Sequence, residues 1–163
     1  MKKIDNARDA FLLKIQCLYD IEKQLEKALP KLAKASTDPE LKQGFIDHLK
    51  ETKEHSVRLE QIFVLLDTTP KKQKCGGIRG IVTDGEWTLA VKSSDVVKDT
   101  LLAGLARYAE HYEMAGYQSA IMYAEFLGME STVELLTQTL SEEERADVLL
   151  GEAMKQLLKK SQS

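Results

Sequence analysis

The chain reads as an all-α bundle of four long helices, arranged as two helical hairpins joined by a long crossover. Three observations predict it. Apolar residues recur at helical spacing over four extended stretches. Charged residues make up 30% of the 163 against 6% aromatics and three prolines, a mix suited to long helices. One interval rich in glycine, proline and lysine breaks the periodicity near the middle of the chain.

The first helix runs from Ile4 to Leu32 through Phe11, Ile15, Leu18, Leu25 and Leu29, about seven turns, with its last turn ending near Ala35. Pro30 is expected to kink it or stop it early, because proline lacks an N–H and its ring collides with the preceding turn. Ser36-Thr37-Asp38-Pro39 is a stop-and-restart signal, with Asp38 as N-cap and Pro39 at the favoured first helical position. The second helix then runs to about Leu66. Pro70, the neighbouring lysines, Gly76-Gly77, Gly80 and Gly85 make residues 67–93 a connection, with a short helix across Ile78 to Ala90. Ser93 or Ser94 caps a third long helix that continues to Leu127, Gly128 ends it, and a fourth spans Glu130 to about Lys159. Short links make each hairpin antiparallel, while the crossover can travel the roughly 40 Å length of a bundle. Ferritin-like bundles are wired in this way. A chain of this length suits one ferritin-like domain over residues 1–163.

Composition narrows the function. The net charge is −3, with no basic excess for nucleic acid; Lys159-Lys160 complements a helix dipole instead. No run of eighteen apolar residues exists for a membrane span. Met1-Lys2-Lys3-Ile4-Asp5-Asn6 lacks the apolar stretch of a signal peptide, so a cytoplasmic location is expected. Cys17 and Cys75 are too far apart in sequence to read as a metal-spaced or redox motif.

Chemistry enters through acidic residues on apolar faces. At about 100° per residue, Glu22 falls at the centre of the stripe of Ile4, Phe11, Ile15, Leu18, Leu25 and Leu29. On the third long helix Glu113 sits among Leu102, Ala106, Ala109, Gly116, Ala120 and Leu127, with Glu110 one turn earlier and His111 pointing away. On the fourth, Glu143 and Asp147 share a face with Leu136, Leu140, Leu150, Met154 and Leu157, whereas Glu142 and Glu144 fall to either side. The second helix places His48, Thr52 and His55 on the face of Leu41, Phe45, Leu59 and Phe63, with Glu51 at its edge and Glu54 outward. An unpartnered buried carboxylate costs several kcal/mol, so a converging set needs protons or metal ions.

Heights agree. Glu22 precedes Ala35 by about as much as Glu51 follows Pro39, and Glu113 precedes Leu127 by about as much as Glu143 follows Glu130. His55 and Asp147 each follow their hairpin's second glutamate by one turn, which suggests a duplicated hairpin. Carboxylates with one or two imidazoles suit iron, manganese or zinc, and their negative charge fits two divalent ions better than one. The candidate ligands are Glu22, Glu51, His55, Glu110, Glu113, Glu143 and Asp147. Glu51 and a third- or fourth-helix glutamate would bridge, Glu22 and Glu143 would be terminal, and His55 and Asp147 would complete the spheres. His48 stands open between core histidine, supporting partner and ligand. Tyr19 and Tyr117 lie near the acidic level, within reach of a ligand carboxylate.

The segments Tyr19 to Leu25, His48-Leu49-Lys50-Glu51-Thr52, Glu110 to Tyr117 and Leu140 to Asp147 resemble the YciE/YciF group of bacterial stress-associated proteins. The likeness covers nearly the whole chain. It implies a rubrerythrin-like bundle, a homodimer and a dinuclear site. Glu22, Glu51 and Glu143 would match the ferritin-like glutamates of the first, second and fourth helices, with Glu110 and Glu113 matching the paired third-helix glutamates of rubrerythrins. The E-x-x-H signature counted from those glutamates would put histidine at positions 54 and 146, where Glu54 and Ala146 stand; His55 and Asp147 would substitute. A rubredoxin-type four-cysteine domain has no counterpart here. The function expected is stress-related chemistry of a di-iron or di-manganese centre with dioxygen or peroxide; the alternative is a structural or interaction bundle with a vestigial or non-redox site.

Overall fold

A computed structural model describes residues 3–161. Five helices follow one another: α1 (Ala7–Ala35), α2 (Pro39–Leu65), α3 (Gly76–Ala90), α4 (Asp95–Phe126) and α5 (Glu130–Lys160). The four long ones are those anticipated from the periodicity, and α3 is the short helix of the crossover. No strand occurs among the described residues, and none of their helices is long and apolar enough to cross a membrane.

Local chemistry accounts for most boundaries. Asn6 caps α1 by accepting from the Asp9 N–H at 2.8 Å. Asp38 caps α2 by accepting from the N–H groups of Glu40 and Leu41, with Pro39 in the first turn. Gly128 adopts φ +67°, the left-handed conformation that closes α4 and lets α5 start two residues later. Ser94 holds the cap position of α4 without a capping side-chain hydrogen bond. Pro30 does not end α1, which continues for five more residues. Leu29, Leu32 and Ala33 around it are all buried, and burying such side chains, at about 1.5–3 kcal/mol for a leucine, offsets the hydrogen bond the proline forgoes.

Antiparallel packing orders the bundle as a ring of α1, α2, α5 and α4. Lys160 at the end of α5 reaches Asp38 at the start of α2, 2.6 Å away. Asp99, near the start of α4, accepts from the N–H groups of Thr37 at 3.0 Å and Asp38 at 2.7 Å, which ties the α1–α2 turn to the second hairpin. This buried aspartate is a fold device that the helical wheels did not single out. The crossover is sewn to α1 by the N–H of Gln73 on the Gln16 carbonyl, 3.0 Å, and the N–H of Cys75 on Asp20, 2.9 Å. From there α3 packs on α4 and α1, covering the seam between those helices and burying Ile78. Small residues on α4 permit close approach to α1: a Cβ at Gly116 would lie only 3.0 Å from Leu18 Cδ2. Among the described residues, no helix lies over the opposite seam, between α2 and α5.

Candidate metal centre

Four helices converge at mid-bundle. Glu22 comes from α1, His48 and His55 from α2, Glu110 and Glu113 from α4, and Glu143 from α5, all buried. Seven residues is close to two helical turns, so both imidazoles of α2 face the same way, and three residues put Glu110 and Glu113 one turn apart. Their ligand atoms form two groups. His48, Glu110, Glu113 and Glu143 each offer one atom within 4.8 Å of the others, and Glu22, His55 and Glu143 do the same. Glu143 belongs to both: Oε1 lies 2.9 Å from His55 Nδ1 and Oε2 lies 3.9 Å from His48 Nε2.

Further contacts hold the side chains of the cluster in place. His55 Nε2 lies 2.9 Å from Glu142 Oε2. Arg58, itself buried, donates from Nη2 to Glu142 Oε1 at 2.9 Å and from Nη1 to Thr139 Oγ1 at 3.1 Å. A carboxylate on the outer nitrogen of an imidazole fixes its ring and leaves the inner nitrogen for an ion. The Tyr117 hydroxyl donates to Glu22 Oε1. His48 Nε2 is 3.2 Å from Glu110 Oε1.

Much of the cluster's hydrogen-bonding capacity is unused. Seven buried side-chain atoms of the described residues have no hydrogen-bond partner: Glu22 Oε2, His48 Nδ1, His55 Nδ1, Glu110 Oε2, both oxygens of Glu113, and Glu143 Oε2. Every one belongs to this site. Leaving a buried polar atom unpaired costs about 1–3 kcal/mol, more when charged, so this concentration fits a cationic partner. Four carboxylates and two neutral imidazoles would balance two divalent ions.

Protons also bear on the charge of this cluster. Burial pushes the carboxyls of Glu22 and Glu143 above the usual range, opposed by His55. Burial, reinforced by the charges of Glu143, Glu22 and Glu110, pushes Glu113 well above it. Burial disfavours the His55 imidazolium, yet Glu143 and Glu22 outweigh that and hold its pKa at about 10. His48 is likewise raised, burial opposing and Glu110 prevailing. Removal of several protons accompanies any cation that displaces them.

The structure brings together five of the seven residues singled out from the sequence: Glu22, His55, Glu110, Glu113 and Glu143. Glu51 and Asp147 stay outside both groups. Glu51, with 31% of its side chain exposed, pairs with Arg145 Nη2 at 2.5 Å, and its other oxygen is 3.6 Å from His48 Nδ1. Asp147 pairs with Arg107, 2.7 Å from Nε, and with His111, 3.2 Å away. Ion pairs with arginines, which the wheels did not weigh, hold both at the periphery. The E-x-x-H frame on α2 shifts by one residue as well. Thr52 and His55 are the buried pair three apart, while Glu54 is exposed, so Thr52 stands where this motif carries glutamate and Ala146, after Glu143, where it carries histidine. His48, one turn before Thr52, supplies the second imidazole. Tyr19 donates to Glu60 Oε1 at 2.7 Å, away from the site. Glu142 and Arg58 were missed because both lie off the centre of their apolar stripes; an arginine one turn after His55, facing α5, was the available signal.

Known proteins share this arrangement of helices. A family profile described as domain of unknown function DUF892 matches residues 6–163. Protein YciF of Escherichia coli strain K12 is 34% identical over 151 residues, covering 92% of this chain and 89% of that protein. The crystal structure of the E. coli stress protein YciF superposes with a TM-score of 0.93 at 31% identity, over 96% of this chain and 99% of that one. YcfI of Rhodopseudomonas palustris, described as a candidate structural protein, gives 0.90 at 34% identity over 92% and 96%. The fold, five helices in a ferritin-like bundle, is therefore that of the YciF structures, and the chain belongs to the DUF892 family.

Proposed function

We propose that this protein is a dinuclear metal-carboxylate protein, with iron as the favoured metal and manganese or zinc as alternatives, working on a small oxidant under stress. The observation that carries the reading is the set of seven orphaned buried atoms, all on the six side chains of one cluster. Glu143 would bridge, since its two oxygens face different imidazoles. Glu22 and His55 would hold one ion, and His48, Glu110 and Glu113 the other. Two redox-active ions would supply the electrons that reduce dioxygen or peroxide. The chain's own part is to orient His55 through Glu142 and Arg58, to fix Glu22 through Tyr117, and to keep water from the Glu22 side. The naming of the E. coli relative as a stress protein supports the setting.

Anaerobic addition of Fe(II) to chelator-treated protein tests this: binding should saturate at two equivalents per chain, and air should then develop the near-ultraviolet absorbance of oxidised iron. Titration without saturation would remove the reading. The homodimer and the cytoplasmic location belong to the same proposal. Exposed apolar side chains on α4, namely Leu101, Tyr108, Met122 and Phe126, support the dimer, and sedimentation equilibrium tests it.

A second reading is a structural bundle whose acidic core is neutralised by protons. Thr52 and Ala146 at E-x-x-H positions favour it, as does the description of YcfI. Thermal melts separate the two, because a ligand bound only by the folded state raises the melting temperature with its concentration. Under the first reading a Glu22→Ala, Glu113→Ala double variant loses that rise; under the second no rise exists to lose.

A further inference from the structure

The two seams between the hairpins differ. The α1/α4 seam lies beneath α3, but the α2/α5 seam opens into a cleft of about 400 Å³ that runs from the start of α2 inward to His48 and Ala146. The cleft meets the candidate centre at its most accessible ligand. His48 is 8% exposed, while Glu22, His55 and Glu113 are sealed at 0%, and its Nδ1 is buried without a hydrogen-bond partner. Ala146 lines the same cleft with no more than a methyl group.

Charge decides what the cleft would admit. Glu40, Asp47, Glu51 and Glu152 line it against Arg145 and His48, and even with Lys50 paired to Asp47 at 2.7 Å the mouth is electronegative. Such a funnel concentrates cations and repels anions. Glu51 stands at the junction, one oxygen on Arg145 and the other 3.6 Å from the unpartnered nitrogen of His48.

We propose that the α2/α5 cleft is the route by which a hydrated divalent cation reaches the centre, with Glu51 handing the ion from the mouth to His48 and Arg145 holding Glu51 in its waiting position. The inference rests on the dinuclear reading above and adds to it a path and a carrier. Arg145 is the counter-charge that an incoming dication displaces, which leaves Glu51 free to turn inward with its cargo. Exposure of Glu51, which argues against its being a permanent ligand, is what a carrier needs.

Co(II) uptake by chelator-treated full-length protein tests the route, followed by stopped-flow visible absorbance, with stoichiometry taken from equilibrium titration. Glu51→Gln keeps the shape and removes the charge; it should slow uptake roughly tenfold or more while two ions per chain still bind with the wild-type final spectrum. Ala146→Leu, narrowing the cleft, should slow uptake as well, and Arg145→Ala should not slow it. Raising ionic strength should slow the wild type and leave Glu51→Gln less affected. Wild-type uptake rates in both Glu51→Gln and Ala146→Leu, at full stoichiometry, would overturn the route and leave the dinuclear reading standing. Loss of an ion in Glu51→Gln would make Glu51 a ligand and overturn its role as carrier. Failure of the wild-type protein to bind Co(II) would remove the dinuclear reading, and the route with it.

Discussion

The halves of the candidate centre use the same ligand types and meet their surroundings differently. On the Glu22 side, His55 is clamped from behind by Glu142 and Arg58, Tyr117 fixes Glu22, and every one of Glu22, His55 and Tyr117 is sealed. On the other side His48 borders an open cleft and its outer nitrogen has no partner. A clamped imidazole is preorganised and loses little freedom on binding an ion. An unclamped one beside solvent is suited to exchange. On the dinuclear proposal, the contrast predicts two positions of unequal affinity, with Glu143 coupling them.

The largest effect that would break this comparison lies at the shared residue. Glu143→Ala should abolish the binding of both ions and with it the metal-dependent rise in stability, which for an intact site is about 2.7 kcal/mol at a hundredfold excess over Kd; thermal melts with and without metal read this out. Next in size, Arg58→Met should free Glu142 and let the His55 ring turn, lowering affinity by about 10–100-fold at the His55 position alone. Calorimetric titration would then resolve one tight and one weak event, and equal weakening of both would contradict the division into halves.

A smaller effect concerns protons. His55 has its pKa raised to about 10 in the folded state against about 6.5 unfolded, so its contribution to stability is complete below pH 6.5 and is lost as pH rises through about 10. Glu113, also raised, acts in the same direction from the ordinary carboxylate range upward. Melts of metal-free protein should therefore fall steadily from pH 6 to pH 10, whereas metal affinity should climb over the same range as protons leave the ligands. A flat metal-free profile would show that the buried histidines are not charged.

The smallest effect separates site from periphery. The pKa of Asp147 is lowered, first by its hydrogen bond from Arg107, so the stability it contributes is present above the ordinary aspartate pKa and is lost as pH falls. With Arg107 partly exposed, Asp147→Asn should cost no more than about 1 kcal/mol and leave two ions per chain; loss of one ion would return Asp147 to the ligand set.

The bundle was legible in the sequence because helix faces, Asp38-Pro39 and Gly128 speak through local chemistry. The inward carboxylates Glu22, Glu113 and Glu143 were legible for the same reason: a charged residue at the centre of an apolar stripe has nowhere else to point. Residues at stripe edges were not. Glu51 and Asp147 each lie close enough to the core face to pass on a wheel, and only the arginines of neighbouring helices, Arg145 on α5 and Arg107 on α4, decide where their carboxylates rest. His48 was ambiguous because its role depends on Glu110 from another helix. The one-residue frame error at Thr52 has the same origin, since counting forward from Glu51 follows the sequence and counting back from the buried His55 follows the core. The cleft was invisible, being defined among the described residues by the lack of a covering helix and of a larger side chain at Ala146.

Anomalous scattering from crystals soaked with Mn(II) or Co(II) tests the central claim most directly. Two peaks per chain are expected, one contacted by Glu22 and His55, the other by His48, Glu110 and Glu113, with Glu143 touching both. No peak among these six side chains, or a single peak held by Glu51 or Asp147 instead, would contradict it.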